Sequence, residues 1–265
     1  VGQQVTLCGW VDNRRNHGAI HFVDLRDRYG ITQLVVDGDA ANDAADQMAG
    51  LHQEDVVQAK GVVRMRIEGQ RNSDRVTGEV EVLVTSVEVL SSSKTLPFEI
   101  ADHIDVPEET RLKYRYLDMR RSPLQRALLL RSRANNAIRN ALCAQEFIEV
   151  ETPMLTRSTP EGARDYLVPS RMRPGSWFAL PQSPQIFKQL CMVGGLDRYF
   201  QIARCMRDED LRADRQPEFT QLDIEMSFVD EEDVYAAVES VMQDVYQAVH
   251  ETELVAPFER MPYNE

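Results

Sequence analysis

Between Arg204 and Glu225 the chain reads RCMRDEDLRADRQPEFTQLDIE, and 11 of these 22 residues are charged. Apolar residues frame the stretch, DRYFQIA before it and the period-two QLDIEMSFV at its end, so two paired strands are expected. Arg207 and Glu209 are two apart, and on a strand both side chains would project from one face. A guanidinium fixed on a strand floor can make two parallel hydrogen bonds to a phosphate and stabilise charge developing during transfer. Glu209, an acceptor, suits an exocyclic amine such as that of adenine. Phe219 on the return strand can stack on a base, a contact worth roughly 1–3 kcal/mol. The hairpin is therefore expected to hold a nucleoside triphosphate and then a nucleic-acid end. The plain alternative is a surface hairpin laced with ion pairs, each worth well under about 1 kcal/mol. Spacing alone leaves both open.

Elements must position these groups. Residues 1–93 alternate as strands do, in VTLCGWV, AIHFVDLRD, ITQLVVD, VVQAKGVVRMRI and GEVEVLVTSVEVL, with turn signals at Asn16-His17-Gly18, Tyr29-Gly30, Asp37-Gly38 and Thr77-Gly78. The alanine-rich AANDAADQMAGL after the third strand is helix-prone. Five strands with a helix after the third predict an OB-fold barrel, whose strand faces bind oligonucleotides; a small barrel without a ligand is the alternative. Residues 94–122, polar and Pro-containing, are expected to be a linker or hinge. Pro123 then opens a long helix over LQRALLLRSRANNAIRNALCAQ, and EEDVYAAVESVMQDVYQAVHE makes a closing helix whose acidic first turn suits the helix dipole. Residues 123–265 thus form a second, α+β domain with an antiparallel sheet flanked by helices.

With 43% hydrophobic and 28% charged residues the composition is that of a soluble globular protein. No run approaches the roughly 18–20 apolar residues of a membrane span, and no basic-then-apolar leader is seen. The four cysteines form no CxxC, so a zinc ribbon or disulfide framework is not expected, and cytoplasm is the default. A net charge of −13 speaks against nucleic acid, yet ten Asp/Glu against the single Arg260 follow Ser227. Upstream, basic residues cluster at Arg14-Arg15, Arg26 and Arg28, Arg64 and Arg66, and RLKYRYLDMRR; local patches decide what a surface attracts. The bias of 26 Arg to 4 Lys fits bidentate phosphate recognition, with a GC-rich genome as the preferred cause.

RDEDLRADRQPEFTQLD closely resembles motif 2 of class II aminoacyl-tRNA synthetases, an Arg-x-Glu, a loop and a Phe-x-x-x-Asp. FIEVETPML, reaching Pro153, resembles motif 1, the dimer-forming element. STPEGARDYLVPSR and ALPQSPQIFKQ, with an N-terminal OB barrel, are similar to the bacterial aspartyl type. The likeness covers essentially the whole chain. Motif 3 and the domain inserted before it are absent. The chain starts at Val1 and stops at MPYNE after an amphipathic helix, so it is expected to be a fragment that holds part of an active site.

That resemblance implies a ligase joining L-aspartate, through ATP, to tRNA(Asp). Arg207 would bridge the ATP α-phosphate and the amino-acid carboxylate, with Asp208, Glu209, Gln216 and Phe219 around the nucleotide. Glu161, in a mobile TPEGARD loop, would close over the substrate amino group. Ser183, Gln185, Lys188 and Asp223 would line the amino-acid pocket. Lys188 would be a fixed cation for the β-carboxylate, left unpaired by asparagine; sites of that kind reject an analogue by roughly 10⁴–10⁵. Magnesium would bridge the phosphates with its protein ligands beyond Glu265, and no metal ligand is assigned here. In the barrel, Arg15, Phe22, Gln33, Arg64, Arg66 and Glu81 would contact the anticodon. His17 and Gly69 stand where the family varies with anticodon strictness, and the lack of bulk at Gly69 with a histidine at 17 motivates the hypothesis that tRNA(Asn) is also charged. A homodimer without membrane association is expected.

Two rivals remain. An asparaginyl or lysyl relative shares the two-domain plan, and Lys188 within QSPQIFKQ disfavours it. A non-catalytic OB-fold RNA-binding paralogue is disfavoured by intact Arg207, Glu209, Phe219 and Glu161.

Overall fold

The computed structural model describes residues 1–18, 20–37, 43–210 and 212–263. The backbone divides into two compact units, Val1–Ser122 and Pro123–Glu265.

The first unit opens with β1 (Gln4–His17), β2 (Ile20–Arg26) and β3 (Ile31–Asp37), then α1 (Asp43–Ala49), β4 (Val56–Met65) and β5 (Val80–Ser91). The strands close a barrel in the order β1-β2-β3-β5-β4. Closure depends on the length of β1: residues 4–10 pair with β4, and residues 10–17 pair with β2 across a register shift between Val11 and Asn13. All pairings are antiparallel except β3 with β5. Alternation sends Val11, Val23, Leu25, Leu34, Val57, Ala59, Val82 and Val84 inward, with Met48 and Leu51 completing the core from and beyond α1. At the register shift beside Gly61, a Cβ would press into the Leu83 carbonyl oxygen, so only glycine lets the strands approach there. The expected turn at Gly38 and the first residues of the expected helix, 40–42, lie outside the described residues, as does Ala19 at the head of the expected second strand.

Residues 94–122 are more ordered than their composition suggests. They carry α2 (Glu108–Lys113) and α3 (Arg115–Asp118). Phe98, Ile100 and Leu117 bury a small core of their own, packed by Leu96, Ile104, Val106 and Tyr114. The basic run RLKYRYLDMRR, expected as a patch for polyanions, is largely spent on internal carboxylates. Asp118 is 1% exposed and accepts from Arg115 (3.0 Å) and Arg121 (2.8 Å). Buried Glu54 accepts from Arg120 at 2.6 Å and, on its two carboxylate oxygens, from the Arg26 Nη2 at 2.6 and 2.7 Å, while the other branch of that guanidinium donates to Asp12. Buried carboxylates are tolerated only with such partners, which removes Arg26, Arg115, Arg120 and Arg121 from the pool free to attract phosphate.

The second unit holds α4 (Ser122–Ala144), β6 (Ile148–Glu149), β7 (Leu167–Pro169), β8 (Trp177–Ala179), α5 (Gln185–Val193), β9 (Arg198–Met206), β10 (Glu218–Met226) and α6 (Glu231–His250). Its sheet runs β10-β9-β6, antiparallel between β9 and β10 and parallel between β6 and β9. One sheet face carries Phe200 and Ile224, cross-strand partners that pack with Ala141 and Leu142 of α4, Phe147, and Ala237 and Val241 of α6. The acidic start of α6 is a capping box: Asp230 accepts from the Glu232 and Asp233 backbone, and Asp233 accepts from the backbone of Asp230. The opposite face carries Tyr199, Gln201, Ala203 and Cys205 against Glu225, Asp223, Gln221 and Phe219. An ordinary two-faced strand pattern thus assigns one side to the core and the other to polar chemistry.

Candidate functional site

The hairpin β9–β10 brings the opening triad together. Phe219 sits opposite Cys205, and the ladder extends one step further through the Arg207 N–H, which donates to the Pro217 carbonyl at 2.9 Å. The Arg207 guanidinium lies 5.0 Å from the Phe219 ring centroid, a cation–π distance. Arg207, Glu209, Gln216 and Phe219 line one cavity of about 490 Å³ together with Asp210, Asp214, Arg215 and Pro217, a volume within the usual range for small-molecule sites. One expectation is corrected. β9 ends at Met206, so Arg207 and Glu209 follow the strand and do not share its face by alternation. Glu209 reaches the cavity from the connecting loop, 4.0 Å from Arg215, because the charged residues 207–210 have no strand partner beyond the Arg207–Pro217 bond. Asp208 does not line this cavity; its N–H donates to the Arg164 carbonyl at 3.0 Å, tying the hairpin to the loop of residues 159–165.

On the same polar face, Lys188 projects from α5 onto β10. Its Nζ is 2.7 Å from Asp223 Oδ1 and 3.2 Å from Glu225 Oε2. Asp223 is 8% exposed, so the ammonium is the partner that compensates its buried carboxylate. Burial works to lower the Lys188 pKa, and the two carboxylates outweigh it, raising the pKa above the ordinary value. The expectation of a lone cation awaiting a substrate carboxylate is corrected accordingly: with Asp223 and Glu225 the cluster carries a formal net charge of −1. Gln185, one turn before Lys188, opens the helix beside Ser183.

Ser183 Oγ donates to Glu161 Oε2 at 3.0 Å, and Thr159 Oγ1 donates to the other carboxylate oxygen at 3.3 Å. The loop around Glu161 is pinned by a residue that sequence reasoning missed. Gln182, 2% exposed, accepts from the Ala163 N–H at 3.0 Å, donates to the Ala163 carbonyl at 2.9 Å, and also donates to Asp165. Glu225 was missed as well, although its period-two spacing from Asp223 placed it on the same face. Cys205 reports the convergence of these groups. Burial pushes its thiol pKa up to about 11, Asp223 and Glu161 add to that, and Arg207 opposes it. Pro153 is exposed four residues beyond β6. Among the described residues, no three His, Cys, Asp or Glu side chains group to hold a metal ion.

A second cavity, of about 760 Å³, opens on the barrel. Arg15, Phe22, Gln33, Arg64, Arg66 and Glu81 all line it, and so do His17 and Gly69. Gln33 Nε2 donates to Glu81 Oε2 at 2.7 Å and Arg64 Nε donates to Oε1 at 2.8 Å, so both oxygens of the 4%-exposed Glu81 are engaged. Arg66 donates through Nε to the Val80 carbonyl at 3.0 Å, while its buried Nη2 has no partner. Burial and the neighbouring Arg75 lower the Arg66 pKa. The Phe22 and His17 rings meet nearly at right angles, at 80°, with centroids 6.1 Å apart. Gly69 has φ +86°, a conformation that L side chains rarely adopt, so the backbone itself accounts for the glycine. Asp24 and Arg75 were not foreseen: Arg75 forks onto Asp24 at 2.8 and 3.0 Å, and Arg15 joins from the other side at 3.1 Å. Neither distance can be read from sequence, since Asp24 and Arg75 are 51 positions apart.

A closed five-stranded barrel with a basic cavity, joined in one chain to a sheet whose hairpin presents arginine, carboxylate and aromatic ring together, defines an OB-fold fused to a class II synthetase domain. The family of class II tRNA synthetases (D, K and N) matches residues 107–265 and the OB-fold nucleic acid binding domain matches residues 5–90; the chain belongs to the class II tRNA synthetases. It is 52% identical over its whole length to an aspartate–tRNA(Asp/Asn) ligase of Thermodesulfovibrio yellowstonii, of which it spans 45%. It is 56% identical, again over its whole length, to the ligase of that name from Moorella thermoacetica, of which it spans 44%. The chain therefore covers a little under half the length of these relatives. Among solved structures, the asparaginyl-tRNA synthetase of Pyrococcus horikoshii with asparaginyl-adenylate superimposes with a TM-score of 0.81 at 24% identity, over 94% of this chain and 56% of that one. At that identity the likeness speaks for the fold.

Proposed function

We propose that the full-length protein is an aspartate–tRNA ligase that activates L-aspartate with ATP and transfers it to the 3′ end of tRNA(Asp) and also of tRNA(Asn). The observation that carries this reading is the shared cavity of Arg207, Glu209 and Phe219 beside the Lys188–Asp223–Glu225 cluster. In the first step the amino-acid α-carboxylate attacks the α-phosphorus of ATP, forming the adenylate's mixed anhydride as the bond to pyrophosphate breaks. No protein nucleophile is needed; positioning and charge stabilisation suffice. Arg207, free of carboxylate partners among the described residues, neutralises the phosphate and the attacking carboxylate. Glu209 accepts from the adenine amine, Phe219 offers a stacking face, and Gln216 lies beside the nucleotide. Glu161, held by Ser183 and Thr159, meets the substrate ammonium, while Lys188, with Gln185 and Asp223, orients the side-chain end. In the second step the terminal ribose hydroxyl of the tRNA attacks the adenylate carbonyl and AMP leaves.

Magnesium would supply charge neutralisation on the phosphates; among the described residues no three His, Cys, Asp or Glu side chains group to hold it, and its ligands are assigned to the portion of the relatives' length that this chain does not span. Residues 1–93 are assigned to anticodon binding, 94–122 to the hinge, and 123–265 to the first part of the catalytic domain. Exposed Leu128, Leu129, Leu130, Ile148, Met154 and Leu155 support a homodimer surface around Pro153. No helix among the described residues is long and apolar enough to cross a membrane; the cytoplasmic location is proposed from the likeness to the aspartate ligases. One observation favours a rival: a cluster of net charge −1 also suits a neutral or cationic side chain, as in an asparaginyl or lysyl enzyme. Sequence identity to the aspartate ligases weighs against it. Charging of purified tRNA(Asp) and tRNA(Asn) with labelled aspartate by the full-length protein tests the proposal. Aspartyl product on both is expected, and none on tRNA(Asp) overturns it.

A further inference from the structure

The 66–79 connection between β4 and β5 folds back on itself. Asn72 N–H donates to the Gly78 carbonyl at 3.0 Å, Gly78 N–H to the Arg75 carbonyl at 2.9 Å, and Asp74 N–H to Asn72 Oδ1 at 2.9 Å. A Cβ on Gly78 would collide with the Asn72 carbonyl oxygen, so the loop is tight enough to require glycine there. Two side chains fasten the loop braced in this way to the barrel. Thr77 Oγ1 donates to the Ile31 carbonyl at 2.6 Å, and Arg75 makes the two-pronged contact with Asp24.

Asp24 is 2% exposed on β2 and lies beneath the cavity, already partnered by Arg15. A buried carboxylate clamped by two guanidiniums is a fixed point, and planar forks of this kind define direction as well as distance. The loop it holds contributes Gly69, Gln70 and Asn72 to the wall facing Phe22 and His17. Five arginines line the cavity against Asp74 and Glu81; with Asp24 beneath, the formal balance is +2, and the buried Arg66 Nη2 lacks an acceptor. Such a site is built for an anionic, acceptor-rich ligand and is unsatisfied without one.

We infer that Asp24 and Arg75 are positioning residues for RNA recognition: their ion pair latches the 66–79 loop over the barrel cavity and so sets how strictly the nucleotide between Gly69, His17 and Phe22 is read. This rests on the assignment of the barrel to anticodon binding. The loop's position, rather than a direct contact, fixes the space at Gly69, and loss of the latch relaxes both affinity and discrimination.

The test is binding of labelled anticodon stem-loop RNAs, of the aspartate and of the asparagine type, to the full-length protein by fluorescence anisotropy. Wild type, Arg75→Lys and Arg75→Ala are compared, with thermal unfolding as the check of folding. Arg75→Ala is expected to bind the tighter RNA about tenfold more weakly, the step corresponding to about 1.4 kcal/mol, and to narrow the ratio between the two RNAs. Arg75→Lys, which keeps the charge but not the fork, should fall between. Wild-type affinities and an unchanged ratio in a folded Arg75→Ala protein would overturn the inference. A uniform loss with the ratio intact would overturn the positioning role, because it would mark Arg75 as a plain phosphate contact. Failure of the wild type to bind either RNA would instead defeat the barrel assignment itself, and this inference with it.

Discussion

The Arg207 guanidinium is stacked at 5.0 Å over the ring of Phe219, its neighbour across the end of the hairpin. Each side chain is where the other needs it: the ring holds the arginine without consuming its five donors, and the arginine keeps one edge of the cavity positive. A carboxylate in place of the ring would have fixed Arg207 equally well and cancelled the charge that a phosphate needs. Glu209 shares the cavity but is tethered only loosely, 4.0 Å from Arg215, so that end of the cavity is the more adjustable of the two.

Gln182 is expected to matter as much as the residues it supports. Replacing it by alanine strands the Ala163 N–H and carbonyl that it now satisfies, at a cost of about 1–3 kcal/mol for a buried unpaired group. In the full-length protein, Gln182→Ala should raise KM for aspartate more than KM for ATP and speed proteolysis between residues 159 and 166. Equal KM values and wild-type proteolysis would deny it this role.

Lys188 should behave as the counter-ion of two carboxylates. Lys188→Met leaves Asp223 and Glu225 facing one another, and breaking a buried pair typically costs about 3–5 kcal/mol, toward the lower end here because Glu225 is 29% exposed. Adding Glu225→Gln should recover part of that loss in chemical denaturation. The pH sign follows from the direction of the shift. Because the folded pKa is raised, the stabilisation is fully present below the ordinary lysine value and is lost only as pH rises through the higher folded one. The stability difference between wild type and Lys188→Met should therefore be flat from about pH 7 to 9. A steep decline within that range would contradict the pairing.

Cys205 gives a prediction in a different window. Burial raises its thiol to about 11, whereas an unfolded cysteine ionises near 8.5. Between about pH 9 and 11 the unfolded chain binds fewer protons than the folded one, so Cys205 makes stability fall as pH rises. At pH 8, iodoacetamide should label the exposed Cys8 and Cys143 well before the fully buried Cys205. Rapid labelling of Cys205, read by mass spectrometry, would mean that the polar sheet face is open to solvent.

Much of this was legible in the sequence. The strand ITQLVVD coincides with β3, and the long and closing helices begin and end within two residues of the apolar periodicity that foretold them. The hairpin stood out because charge is rare between two apolar strands. What stayed hidden was long-range pairing. The basic run at 111–121 looked free because Asp118's burial and Glu54, 66 positions from Arg120, enter only through tertiary packing. The strand reading of Glu209 failed because alternation cannot say where pairing stops. Lys188 looked like an isolated cation because the cross-sheet distance to Glu225 is not encoded in either segment's period.

Aspartate-dependent ATP–pyrophosphate exchange by the full-length protein, wild type against Arg207→Ala, probes the proposed nucleotide-and-amino-acid seat most directly. Exchange with L-aspartate but not with asparagine or lysine is expected, falling about 10²–10³-fold in the variant, the scale for losing one aligned charge donor. Exchange with asparagine or lysine and none with aspartate, or an undiminished rate without the Arg207 guanidinium, would contradict it.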